Sequence, residues 1–217
     1  MKLSYIVLSL VTLIYLTGCR TQKSLISYGL NIESVDPRGN KMLLGKSTRA
    51  RLQQEPFSSW FNKNYGEYKV DSNKADLISP NIQNKRFVIF MGTWCGGSRL
   101  EVARIYKLLD YCGVPETAIQ LMNVNVYDSV YKQSPTHEER GLNIHRVPDL
   151  LVYENNNEIG RIIERPIKSW EEDLLTIVRK EKYEANYKTV SYLERLFRTV
   201  TLEKIEKDIV KIVDSLK

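Results

Sequence analysis

Apolar positions change rhythm several times along the chain, and each change marks an element. An unbroken apolar-rich run, Leu3–Leu16, follows Lys2 and gives way to a mixed polar stretch holding the turn signal "DPRGN", Asp36–Asn40. From Ser47 the spacing turns helical. Leu52, Phe57, Trp60, Phe61 and Tyr65 share an apolar face, Ser47 or Thr48 can cap it, and Pro56 interrupts it. Arg86–Met91, closed by Gly92, is a short apolar run that predicts a strand buried on both faces. Val102, Ile105, Tyr106 and Leu109 then recur at helical spacing, Arg99, Glu101, Arg104 and Lys107 can face water, and Gly113 and Pro115 end that helix. Ala118–Val126 predicts a second strand, and the order strand, helix, strand predicts parallel pairing through a right-handed crossover. Leu150–Glu154 and Glu158–Glu164 predict a hairpin over an Asn-rich turn, and Ser169 with Glu172 forms a capping-box pattern for another helix. In the tail, Leu202, Ile205, Ile209, Ile212, Val213 and Leu216 make one stripe that needs a surface, either the protein's own body or a partner.

Composition fits a folded body: 217 residues, 42% hydrophobic and 27% charged, enough for one domain with extensions or at most two domains. The leading run of 14 residues is shorter than the roughly 20 needed to span a membrane, so with Lys2 and the small residues at its end it predicts an export signal. Its last residues, "LTGC" at Leu16–Cys19, resemble a bacterial lipobox. That resemblance implies cleavage before Cys19 and a lipid attached to it, which would hold the body outside the cytoplasm, in the cell envelope, on a hydrophilic stalk. The expected division is a signal at 1–18, a stalk or linker at 19–45, a helical extension at 46–79, an α/β domain at 80–181 and a second helical extension at 182–217. Net charge is +6, of which the signal holds one positive charge; basic residues are interspersed with acids, as in "RKEKYEANYK", which predicts a solvated face, and no nucleic-acid motif is present.

The candidate chemistry lies in "FVIFMGTWCGGSRLEV", Phe87–Val102. A strand, a tight turn and a cysteine opening a helix form a reactive setting, because free amide groups and the positive end of the helix dipole both favour thiolate over thiol at Cys95. Trp94 offers an apolar wall, Gly96 and Gly97 leave the approach open, and Arg99 can add a positive charge. The sequence "FVIFMGTWCGGS", followed 53 residues after Cys95 by Pro148 in "RVPD" and then by a hairpin and a helix, resembles the thioredoxin superfamily over about Pro80–Lys180. The resemblance implies a thioredoxin-like α/β fold with a central mixed sheet flanked by helices. It also implies a cis Val147–Pro148 bond facing Cys95, and a substrate-binding wall made by Trp94, Val147 and Pro148.

Two residues depart from that family. Ser98 replaces the second cysteine of CxxC, so a mixed disulfide cannot be released intramolecularly, and Ile89 stands where thioredoxins hold a buried acid. Cys112 cannot substitute: the helix from Gly96 to about Asp110 is roughly 20 Å long, whereas bridged cysteines need Cα atoms about 4.4–6.8 Å apart. The expectation is thiol–disulfide exchange through the single nucleophile Cys95, with Ser98 available to hydrogen-bond the thiolate and an external thiol completing the cycle. The expected partners are exported proteins carrying thiols or disulfides and, through the lipid, the membrane. The competing readings are a peptide-binding module without turnover and, from the CGxS spacing, a monothiol glutaredoxin-like cluster protein, which Trp94 and the export signal oppose. His145, three residues before Pro148, is a candidate proton partner for Cys95. No cofactor or metal is implied, since no His, Cys, Asp or Glu set has ligand spacing.

Overall fold

The computed structural model describes residues 29–187 together with Lys204, Lys207 and Ile209. The expected signal, the lipid attachment at Cys19 and most of the tail stripe lie outside the described residues. Between residues 29 and 187, six strands and five α-helices follow in the order β1 (Ile32–Val35), β2 (Lys41–Ser47), α1 (Arg49–Leu52), α2 (Ser58–Glu67), α3 (Ser72–Ile78), β3 (Lys85–Met91), α4 (Gly96–Tyr111), β4 (Ile119–Asn123), β5 (Asp149–Glu154), β6 (Asn157–Ile163) and α5 (Trp170–Val178). The fold is mixed α/β, with one sheet in the order β1-β2-β4-β3-β5-β6. Only β3 and β4 run parallel, Ile89 opposite Leu121; every other neighbouring pair is antiparallel. Among the described residues no helix is long and apolar enough to cross a membrane.

Strand β3 lies near the middle of the sheet, and its alternate residues serve two cores because successive side chains point to opposite faces. Phe87, Ile89 and Met91 join Val102, Ile105, Tyr106 and Leu109 of α4 and the apolar sides of α2, α3 and α5 in the larger core. Val88 and Phe90 join Met122, Leu151, Tyr153, Val124 and Val147 in a smaller core on the other face, where Trp94, Cys95, Leu142 and Ile144 also pack. The residues between β4 and β5 form one short 3-10 turn, Asp128–Val130, and no α-helix.

Local chemistry explains the element ends. Asn155 and Asn156 both adopt positive φ, 49° and 65°, which makes the two-residue turn between β5 and β6; asparagine tolerates this left-handed region and matches the strand twist. The Ser169 hydroxyl accepts from the Glu172 amide at 3.0 Å and caps α5. Thr48 caps α1, accepting from the Arg51 amide, and Pro56 falls in the break before α2.

One expected boundary is corrected. The stretch assigned to a stalk up to residue 45 contains β1 and most of β2, and Met42 and Leu43 of β2 are fully buried. The hairpin pairs with β4 across Gly45–Ser47 and Asn123–Leu121, so burial of "MLL" holds it to the sheet. Polar contacts fix the N-terminal helices as well. Asp110, near the end of α4, accepts from Arg49 Nη1 at 2.5 Å and from the Tyr65 hydroxyl at 2.6 Å. Buried Glu171 accepts from the Tyr68 hydroxyl at 2.8 Å.

Candidate functional site

Cys95 is the N-cap of α4 in extended conformation, φ −89° and ψ 122°, so its side chain leaves the helix start without capping it. Its amide donates to Gly92 O at 2.9 Å, closing the turn, and its carbonyl accepts from the Arg99 amide at 3.0 Å, opening the helix. The sulfur is half-buried, Gly96 and Gly97 beside it are exposed, and the approach stays open because neither glycine has a Cβ.

The turn is held from four directions. Gly92 N donates to the Ser98 hydroxyl at 3.3 Å, Trp94 Nε1 to Val124 O at 2.9 Å, Arg99 Nε to Thr93 O at 2.5 Å, and the Leu43 amide of β2 to the Thr93 hydroxyl at 3.0 Å. The Trp94 indole lies on Gly92; a Cβ there would meet it at 2.4 Å, so this close approach requires glycine. Tyr131 stands beside Trp94, with ring centres 5.8 Å apart.

Opposite the turn, the Val147–Pro148 peptide is cis, both residues are buried, and Val147 O lies 3.7 Å from Cys95 Sγ, where a thiol can donate to it. The structure therefore brings Cys95, Trp94 and Val147 together on one face of the sheet, with Pro148 next along the chain through the cis bond. Ser98 is placed differently from the expectation. Its side chain is wholly buried, its hydroxyl holds the Gly92 amide, and no hydrogen bond joins it to Cys95 among the described residues. The inward-facing side of the first helical turn selects the backbone as its partner. His145 Nδ1 meets its own loop at Asn143 O, 3.0 Å away, and the ring lines a separate cleft of about 260 Å³ with Glu158, Arg161 and Tyr183. Cys112 caps the far end of α4, its thiol 3.7 Å from Ala75 O, and burial pushes that thiol up to about 11.

One residue of consequence was not singled out by sequence. Asp149 directly follows Pro148, is fully buried, and its Oδ1 has no hydrogen-bond partner. Arg161 Nη1 lies 3.3 Å from Oδ2, which favours the carboxylate, but burial opposes it and prevails, pushing the carboxyl up to about 7. The guanidinium is already committed elsewhere: Nε and Nη2 bind Glu158 at 2.6 Å each, and Nη1 also donates to Leu142 O at 2.8 Å. The visible signal was an acid at the head of the otherwise apolar "DLLVY".

No protein-family model matches the chain, and no curated protein matches it. Two crystal structures do. A protein of unknown function from Pseudomonas aeruginosa is 14% identical, with 62% of this chain and 92% of that one covered and a TM-score of 0.46. An HIV epitope scaffold is 15% identical, with 64% and 94% covered and a TM-score of 0.45.

Proposed function

We propose that this chain is a lipid-anchored, thioredoxin-like protein of the bacterial cell envelope that exchanges thiols and disulfides of exported proteins through Cys95 alone. The observation that carries the reading is a half-exposed sulfur at the opening of α4, 3.7 Å from the carbonyl of Val147. In the proposed cycle the Cys95 thiolate attacks one sulfur of a client disulfide. The client S–S bond breaks, a Cys95–client disulfide forms, and the second client sulfur leaves as thiolate. A thiolate of the client or of a small external thiol then attacks the mixed disulfide at the client sulfur, restoring Cys95. No net oxidant is consumed, so the chemistry is isomerisation or transfer. Val147 O and the Trp94 ring form the wall along which an extended client segment would lie, and the "LTGC" motif supplies the anchor at Cys19.

The test is covalent capture in intact cells producing the full chain. Disulfide-linked adducts of exported proteins are expected with the native protein and with Cys112→Ser, and none with Cys95→Ser. Client binding that persists unchanged in Cys95→Ser, with no adduct in the native protein, would replace the exchange reading by that of a binding module.

A further inference from the structure

The Cys95 turn shares a wall with a second cleft, built largely by the N-terminal segment. This cleft, of about 340 Å³, lies between Asn40 and Lys41 of the first hairpin, Phe57, Ser59 and Trp60 at the start of α2, and Arg99 of α4. Its size falls in the range of small-ligand sites, about 300–1,000 Å³. Arg99 connects it to the backbone of the Cys95 turn. Its amide binds Cys95 O, and its Nε folds back to Thr93 O at 2.5 Å. Both anchors fix the guanidinium beside the turn, and its terminal nitrogens carry no acceptor among the described residues. Lys41 Nζ lies 3.1 Å from Glu33, a carboxylate that Arg51 also binds, so one acid is divided between two cations. None of the described lining residues is acidic, and Trp60 and Phe57 add a flat apolar side.

We infer that this cleft receives a carboxylate of the client, an Asp or Glu side chain close to the cysteine that Cys95 attacks, and so selects acidic segments. The inference rests on the exchange reading above. A planar guanidinium with two free donors matches a carboxylate in paired geometry, the Lys41 ammonium adds a point charge, and the aromatic wall takes the stem of the acidic side chain. An apolar peptide would leave the Arg99 guanidinium unused and Lys41 with only its shared acid, and a basic one would be repelled.

The experiment uses the full chain and three short synthetic peptides, each with one cysteine activated as its 2-thiopyridyl disulfide and flanked by Glu, Gln or Lys. Cys95 attacks the peptide sulfur, the S–S bond breaks, the Cys95–peptide disulfide forms and pyridine-2-thiolate leaves; its absorbance gives the rate. The Glu probe is expected to react about three- to tenfold faster than the Gln probe, as one or two half-exposed charge contacts allow, and the Lys probe slower than either. Lys41→Gln and Arg99→Gln should each shrink the Glu-to-Gln ratio, and the pair together should bring it to about one. Lys168→Gln, an equal charge change remote from the cleft, should leave it intact. Equal Glu and Gln rates in the native protein overturn the inference, as does a ratio that survives both cleft variants or falls equally in Lys168→Gln. No Cys95 adduct with any probe sinks the exchange reading itself.

Discussion

The two ends of α4 carry one cysteine each and are built to opposite specifications. At its start Cys95 is half-buried beside the exposed Gly96 and Gly97, and Asp149, the buried acid that follows Pro148, keeps an unpartnered oxygen. At its end Cys112 is 5% exposed against Ala75, while the nearby acid, Asp110, is bound by both Arg49 and Tyr65. Packing closes one end and leaves the other open, which is why the proposed function assigns the exchange to Cys95 and treats Cys112 as a piece of core.

The comparison can be broken most sharply by alkylation. At pH 7 a thiol pushed up to about 11 is thiolate only about once in 10⁴ molecules, so native Cys112 should react with iodoacetamide more than about 100-fold slower than an unperturbed thiol, whose value is near 8.5. Mass spectrometry should find the label on Cys95 first; early labelling of Cys112 would erase the contrast.

Asp149→Asn comes next. The folded carboxyl near 7 lies above the 3.8 of the unfolded chain, so its contribution is fully favourable below about pH 4 and is lost as pH rises through 7. Denaturant unfolding should show the variant gaining on the native protein between pH 4 and 8, by up to about 4 kcal/mol. A gap that does not change with pH would mean that Arg161 satisfies the carboxylate after all.

At the closed end, Asp110→Ala removes the acceptor shared by Arg49 and Tyr65 and should cost about 1.5–3 kcal/mol in urea unfolding. The smallest effect belongs to Ser98→Ala, about 1 kcal/mol from the freed Gly92 amide, with Cys95 exchange rates nearly unchanged. A large loss of exchange there would restore Ser98 to contact with the thiolate.

Legibility followed the strength of the local signal. β3, α4, β4 and the final hairpin were readable because apolar runs, glycines and asparagines mark them in sequence, and Cys95, Trp94, Val147 and Pro148 came with them. The first hairpin was hidden: β1 alternates half-buried Ile32 and Ser34 with exposed Glu33 and Val35, and β2 is bracketed by exposed Lys41 and Lys46, so its burial depends on β4, about 75 residues away. α3 falls inside the helical extension expected at 46–79 but has no separate mark in the sequence, because seven residues hold too few turns to show a period. Ser98 and Asp149 were beyond sequence for another reason. Spacing says which residue is near the turn, but only packing decides which hydroxyl faces inward and which acid loses water.

The Leu43–Thr93 hydrogen bond has a practical meaning for anyone trimming the gene. A shortened version begun after residue 47 would discard both N-terminal strands and strip the Thr93 hydroxyl of its donor, one residue from Trp94 and two from Cys95. Cutting immediately after Cys19 instead removes the proposed anchor and keeps the scaffold that the cysteine turn leans on.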